Sequence, residues 1–81
     1  MYKKLIINYI NNKLTVNDID NFSINNNIQL KDNENKIIYN FIKNNYNELL
    51  NKNDEVFKKL KVSDSTFKSC IQIYNKYKNK I

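Results

Sequence analysis

The sequence contains no glycine, proline, histidine, tryptophan, alanine or arginine, and it has a single cysteine, Cys70. Without histidine and with one thiol, the chain alone can form neither a structural zinc site nor a disulfide. Without glycine, it lacks the loops that hold the phosphates of dinucleotides or nucleoside triphosphates. Nucleophilic catalysis that depends on a histidine base is excluded too. We therefore expect a protein that is not an enzyme and has no metal or cofactor.

The length of 81 residues predicts one domain, residues 1–81, with a small core. No apolar run exceeds three residues, so we expect no membrane-spanning segment. The apolar stretch near the start is short and interrupted by Asn8, and no small-residue cleavage site follows it, which argues against a signal peptide. Together with the single cysteine, these features favour a cytoplasmic protein.

Asn, Lys, Ile and Tyr make up 50 of the 81 residues. Their codons can be written with A and T alone, whereas alanine, glycine and proline codons need G or C. The composition therefore indicates an extremely AT-rich genome, and such a genome supplies lysine without selection for a basic surface. The total charge of +6 is for this reason less informative than its placement.

The charge is segregated along the chain. Residues 1–55 contain seven lysines and seven acidic residues, whereas residues 56–81 contain seven lysines and one acidic residue, Asp64. Codon bias acts on the whole chain and does not by itself explain this asymmetry. The basic segment is therefore the first place to look for a binding surface.

Apolar residues recur three and four positions apart throughout, and no segment alternates with a period of two. This pattern predicts an all-α fold of four to five helices. The first covers residues 2–12, with Tyr2, Leu5, Ile6, Tyr9 and Ile10 on one stripe. A short second helix is capped by Thr15 and ends in the Asn tract 25–27, where Asn takes the left-handed conformation that Gly usually supplies.

The longest predicted helix runs from about 32 to 51, with Asp32 as its cap. Its apolar residues cover about 220° of the circumference on a wheel of 100° per residue, so it must be contacted on two sides and is placed at the centre. Asn45 falls inside this apolar arc. We expect a buried amide bonded to a loop carbonyl; the alternative is an uncovered strip where a partner docks.

Two shorter helices follow. Asn53 or Asp54 caps a short one that contains Val56, Phe57 and Leu60, and Ser63 or Ser65 opens the last. The last helix presents one apolar face made of Phe67, Cys70, Ile71, Tyr74, Tyr77 and Ile81. Cys70 is expected to be a small packed hydrophobe, not a reactive thiol.

The opposite side of the last helix and the segment before it carry the candidate contacts with a nucleic acid or another polyanion: Lys58, Lys59, Lys61, Lys68, Gln72, Asn75, Lys76, Asn79 and Lys80. Lysine ammonium groups meet phosphates, and glutamine and asparagine amides can read adenine edges. The alternative interpretation is a solvated face whose lysines are favourably placed near a helix C-terminus.

Residues 55–71 resemble the turn and recognition helix of a helix-turn-helix unit. Val62 and Ser63 fit the turn, and Thr66 and the following apolar positions fit the recognition helix. Two positions differ from the usual pattern: Lys61 stands where the turn usually has Gly, and Phe57 stands where the preceding helix usually has a small residue. The resemblance implies DNA binding through the basic last helix.

The whole chain weakly resembles a family of small all-helical proteins of low-GC Gram-positive bacteria. The resemblance lies in the order Tyr9-Ile10, Leu14-Thr15, Asp18-Ile19, Phe22, Ile28-Gln29-Leu30, Glu34 and Ile37-Ile38. Where that family has a Ser that caps the long helix together with the residue at Glu34, this chain has Lys31. The family has no established activity, so the resemblance implies a fold and a bacterial cytoplasm.

The sequence thus favours a small, non-enzymatic helical binding module that acts through protein or polyanion contacts. The first alternative is a DNA-binding regulator of the helix-turn-helix type. The second is a structural bundle that forms homo-oligomers. The partner is an unknown protein or nucleic acid, and no membrane is involved.

Overall fold

A computed structural model describes the backbone of residues 2–78 and the side chains of residues 3–78. It contains four α-helices, α1 (Tyr2–Asn12), α2 (Val16–Asn25), α3 (Glu34–Leu50) and α4 (Asp64–Tyr77), and a 3₁₀ helix, Asp54–Lys59, between α3 and α4. Residues 2–78 contain no strand. The predicted all-α class is confirmed, and the central helix is two residues shorter at its start and one at its end than the predicted 32–51.

Side-chain caps begin two of the elements as the sequence predicted. The Thr15 side chain accepts from the backbone N–H of Asp18 at 3.2 Å, and Asp18 accepts from the backbone N–H of Thr15 at 2.9 Å, which completes a capping box. Asn53 accepts from the backbone N–H of Glu55 and begins the 3₁₀ helix. Ser63 is the N-cap residue of α4, one of the two that the sequence offered, but its side chain makes no capping hydrogen bond.

Turns in this glycine-free chain are made by other residues. Among residues 2–78 the backbone φ is positive at Asn27 (58°), Asn33 (66°) and Lys52 (61°). Asn27 confirms that the Asn tract supplies a left-handed residue after α2. Asn33 is the N-cap of α3, so the prediction of Asp32 as cap is wrong. The left-handed conformation of Asn33 turns the backbone so that α3 begins at the next residue, Glu34.

The core confirms α3 as the centre of the fold, because α3 packs against α1, α2 and the 3₁₀ helix. Its buried residues Ile38 and Phe41 contact the buried 3₁₀-helix residues Val56 and Phe57. The Phe57 ring lies 5.6 Å from that of Phe41, and it also makes edge contacts with the α4 rings of Phe67 and Tyr74 at 6.3 and 5.0 Å. These aromatic contacts join α3, the 3₁₀ helix and α4.

Asn45 kinks α3. Its backbone has φ −131° and ψ 18°, outside the helical region. Its half-buried side-chain amide donates to the carbonyl of Phe41 at 2.9 Å, the carbonyl that accepts the Asn45 backbone N–H in a regular helix. The expectation of a buried amide bonded to a loop carbonyl is thus met only in that the amide is bonded, because the side chain is half-buried and its acceptor belongs to the same helix. Competition for that carbonyl accounts for the kink.

Helix α1 is attached at its C-terminal end. The ammonium group of Lys43, on α3, donates to the carbonyls of Ile10 and Asn11 at 2.9 and 3.3 Å. These are carbonyls that a helix end leaves without intrahelical partners, so a cation here satisfies them and complements the helix dipole. The residues of the predicted apolar stripe of α1 differ in burial: Ile10 is buried, whereas Leu5 is 67% exposed.

Candidate functional site

The N-terminal end of α4 is fixed to α3 by the carboxylate of Glu34. Its Oε1 accepts from the Thr66 hydroxyl at 2.6 Å and from the Lys31 backbone N–H at 2.8 Å, and its Oε2 accepts from the Ser63 backbone N–H at 2.7 Å. Ser63 in turn donates its hydroxyl to that of Thr66 at 3.0 Å. In residues 3–78 no buried side-chain polar atom lacks a hydrogen-bond partner. At the α3–α4 junction, this network supplies the partners of the buried carboxylate and hydroxyl groups.

Burial alone disfavours the charged form of Glu34 and raises its pKa. The hydrogen bonds from Thr66, Lys31 and Ser63 favour the charged form more strongly, and the pKa falls to about 2. The carboxylate is therefore ionised at neutral pH although only 4% of the residue is exposed. Lys31 lacks the hydroxyl of a capping Ser, but its backbone N–H still bonds to Glu34, so half of that expected cap is present.

The Glu34 carboxylate also affects the pKa of the Cys70 thiol, which lies one helical turn after Thr66. Burial is the larger cause and the nearby Glu34 carboxylate the smaller one; together they raise the pKa of the Cys70 thiol to about 11. Cys70 is a free thiol that packs against the core. It is therefore protonated at neutral pH, and the expectation of a packed hydrophobe is confirmed.

The C-terminal part of α4 is attached to the end of α3 and the start of the 3₁₀ helix. The Tyr74 hydroxyl donates to the carbonyl of Leu49 at 3.1 Å. Lys78 lies 3.6 Å from the carboxylate of Asp54, with its ammonium group 5.8 Å from the centre of the Tyr74 ring. With Glu34 at the other end, these contacts attach α4 near both of its ends and leave its outer face in solvent.

The predicted contact residues within the described part of the chain all lie at the surface. The exposed ones are Lys58, Lys59, Lys61, Lys68, Gln72, Asn75 and Lys76. Asn79 and Lys80 lie outside the described residues. On α4, Lys68, Gln72 and Asn75 follow the i, i+4, i+7 spacing of one helical face, and Lys76 borders it. We call Lys68, Gln72, Asn75 and Lys76 the basic face.

Few of the lysines near the basic face form ion pairs. In residues 3–78 the one ion pair within 4.0 Å joins Lys78 to Asp54, and Lys78 is not among the predicted contacts. Lys58 and Lys59 belong to the 3₁₀ helix and Lys61 to the connector before α4. Their ammonium groups, like that of Lys68, form no salt bridge in the described structure and are available to an anion.

The structure adds Asn26, Asn27 and Ser69 to the candidate contact residues. Gln72 and Lys76 line a polar concavity of about 340 Å³ between α4 and the end of α2, together with Asn26, Asn27 and Ser69. Asn26 already donates its amide to the backbone carbonyl of Phe22, and Ser69 donates its hydroxyl to the backbone carbonyl of Ser65. Nothing in the sequence pairs residues 26–27 with residue 72, because only the packing of α2 beside α4 brings them together.

The helix-turn-helix segment has a defined geometry. The element before α4 is a 3₁₀ helix of six residues, and a connector of four residues, 60–63, separates the two. Phe57 occupies the position usually taken by a small residue because its ring is the centre of the aromatic contacts above. Lys61 has no positive φ, so its position does not require glycine. The helix-turn-helix interpretation stays a prediction.

Within the described residues, no three histidine, cysteine, aspartate or glutamate side chains come together to hold a metal ion. None of the helices in that part of the chain has the length and hydrophobicity needed to cross a bilayer. Comparison with models of protein families, with curated proteins and with solved structures finds no match to this chain.

Proposed function

We propose that the protein is a small, non-enzymatic binding module that holds the phosphate backbone of a nucleic acid against the basic face and the lysines that precede it. The observation that carries this proposal is the exposure of five lysines in the net-positive last third of the chain, none of them in a salt bridge in the described structure: Lys58, Lys59, Lys61, Lys68 and Lys76. Mobile counterions balance these charges in the free protein. A phosphate backbone that replaces them releases its own counterions, which favours binding.

The attachment of α4 to α3 near both of its ends supports the proposal. Glu34 and Tyr74 fix the two ends of the helix from α3, so the basic face is presented on a preformed surface. Binding then costs little ordering of the backbone. The concavity beside Gln72 and Lys76 adds side-chain amides next to a cation, which suits a phosphate with its sugar or base.

The test is the salt dependence of binding to a duplex and to a single strand, measured by fluorescence anisotropy. We expect the logarithm of the affinity for duplex to fall with the logarithm of salt concentration by about 0.9 per phosphate contacted. The double variant Lys68→Gln/Lys76→Gln should flatten this slope by about 2 and weaken all sequences alike. The matched control is Lys13→Gln/Lys36→Gln, which removes the same charge from exposed sites in the net-neutral segment, residues 1–55.

A helix-turn-helix regulator is the second candidate, and the exposed amides of Gln72 and Asn75 on the basic face favour it. In that case Gln72→Ala or Asn75→Ala should change the preference among DNA sequences, because base edges carry the sequence information. With Phe57 and Lys61 departing from the motif, we expect salt-sensitive binding with little sequence preference. Absence of binding to duplex and single strand at about 50 mM salt, where the electrostatic term is strong, overturns both candidates and leaves protein contacts or self-association.

A further inference from the structure

A second, apolar cavity lies next to the polar concavity, and Ile28 and Ile73 line both. It has a volume of about 390 Å³, and residues of all four α-helices line it. Its walls are almost entirely hydrocarbon; the deepest parts are formed by the buried side chains of Ile19, Ile38, Phe41, Phe57 and Leu60. A volume in this range and walls of this kind are typical of sites for small organic ligands.

The cavity opens where its lining residues reach solvent. Tyr9 and Phe22 line it and are 42% and 43% exposed, so the entrance lies between α1 and α2. The polar group beside these aromatic rings is the carboxylate of Asp18, which accepts the Tyr9 hydroxyl at 2.9 Å. The site therefore combines an apolar interior with one anionic group next to its entrance.

The charge at this entrance is well defined. Asp18 accepts the backbone N–H of Thr15 and the hydroxyl of Tyr9, and these bonds lower the pKa of its carboxyl, so the carboxylate is ionised at neutral pH. Among the described residues that line the cavity, Asp18 is the only one that carries a charge at that pH, and no lysine is present. An anionic head group would meet repulsion here, whereas an ammonium group would find a fixed counterion.

We propose that this cavity is a binding site for an amphiphilic cation, with an aryl or alkyl body inside the apolar walls and an ammonium group at Asp18. Burial of the body removes apolar surface from water and supplies the affinity. The ion pair with Asp18, donated by the ammonium N–H groups, supplies the selectivity for the head group. No residue of the basic face lines this cavity, and the proposal does not depend on the proposed nucleic-acid binding.

Three soluble probes with the same body test the proposal: 4-phenylbutylamine, 4-phenylbutan-1-ol and 4-phenylbutyrate. Binding is measured by titration calorimetry and by chemical-shift changes of the amides of α1 and α2. We expect the amine to bind about fivefold more tightly than the alcohol, the gain expected of one partly solvated ion pair. The carboxylate should bind more weakly than the alcohol, although the protein as a whole is positively charged.

Two kinds of variant locate the site. Asp18→Asn keeps an oxygen that can accept the Thr15 N–H, and it should remove the preference for amine over alcohol while the alcohol still binds. Ser23→Leu and Cys70→Met each enlarge a lining residue on a different helix, and they should weaken all three probes about tenfold by excluding about two methylene groups. Thermal melts identify any variant that does not fold. If either Ser23→Leu or Cys70→Met fails to fold, the other one still tests the location of the site.

Lys68→Gln/Lys76→Gln is the matched control, because it alters the basic face and leaves the cavity residues in place; probe binding should not change. Three results each overturn the proposal: none of the probes binds the wild-type protein, the carboxylate binds as tightly as the amine, or the amine preference persists in Asp18→Asn. Since these experiments use no nucleic acid, a negative result for the cavity does not bear on the proposed binding of nucleic acid.

Discussion

The hydroxyl of Thr66 on α4 donates a 2.6 Å hydrogen bond to the carboxylate of Glu34 at the first residue of α3, across 32 positions of the sequence. Thr66 is 1% exposed and Glu34 4%, so this bond lies in the interior. A charged acceptor makes the bond shorter and stronger than one between neutral groups. It joins the N-terminal end of the central helix α3 to that of α4, which carries the basic face.

The first prediction concerns this carboxylate. Glu34→Gln should lower the free energy of unfolding at pH 7 by about 2 kcal/mol, the range for hydrogen bonds to a charged group. A neutral amide accepts these bonds more weakly and brings an NH₂ group that lacks an acceptor. Urea denaturation followed by circular dichroism measures the loss. Glu55→Gln removes the same charge at an exposed site and should change stability by under about 0.5 kcal/mol.

The second prediction is the pH dependence of the same site. The pKa of Glu34 is lowered from 4.5 to about 2 in the folded protein. Its stabilising contribution is therefore complete above pH 4.5 and is lost progressively as the pH falls from 4.5 towards 2. Denaturation at several pH values should show this decline in the wild-type protein and a smaller one in Glu34→Gln. Equal declines in both would show that Glu34 is not the group responsible.

The third prediction tests the core. Phe41→Ala should lower the free energy of unfolding by about 3–5 kcal/mol, because Phe41 is 7% exposed and its removal leaves a cavity beside Phe57. Leu5→Ala, which also shortens an apolar side chain, should cost under about 0.5 kcal/mol because Leu5 is 67% exposed. A loss under about 1 kcal/mol for Phe41→Ala, typical of surface sites, would show that α3 is not the centre of the fold.

The fourth prediction concerns the attachment of α1. Lys43→Met keeps most of the side-chain volume but removes the bonds to the carbonyls of Ile10 and Asn11. We expect a loss of about 1.5 kcal/mol and faster hydrogen exchange of the α1 amides, because this ammonium group ties α1 to α3. Lys36→Met changes an exposed residue of the same helix and is the control. Unaltered exchange in α1 would contradict the assignment.

The fifth prediction uses the left-handed residue after α3. Lys52 has φ 61°, a conformation that costs a residue with a Cβ atom roughly 1–2 kcal/mol. Lys52→Gly should therefore raise the free energy of unfolding by about 0.5–1 kcal/mol. Its neighbour Asn51 has φ −87°, and Asn51→Gly should lower stability because glycine there only adds freedom to the unfolded chain. Stabilisation by both substitutions would show that backbone strain is not the cause.

Local features of this fold follow directly from the sequence. The spacing of apolar residues predicts the helices, and Thr15 and Asn53 cap them as expected, because a cap depends on residues two or three positions away. Asn27 takes the left-handed conformation for an equally local reason. The position of α3 at the centre is also predictable, since its wide apolar arc must be covered on more than one side.

What the sequence determined by itself is thus the set of helices, their ends to within a few residues, and the segregation of charge into the last third of the chain. The tertiary structure decided which distant groups meet: Glu34 with Thr66, Lys43 with Ile10, and Asn27 with Gln72 around the polar concavity. Helical propensity and caps act within a turn or two and are visible in the order of residues. These contacts between helices depend on the angles at which the helices pack, and the spacing along one helix does not contain that information.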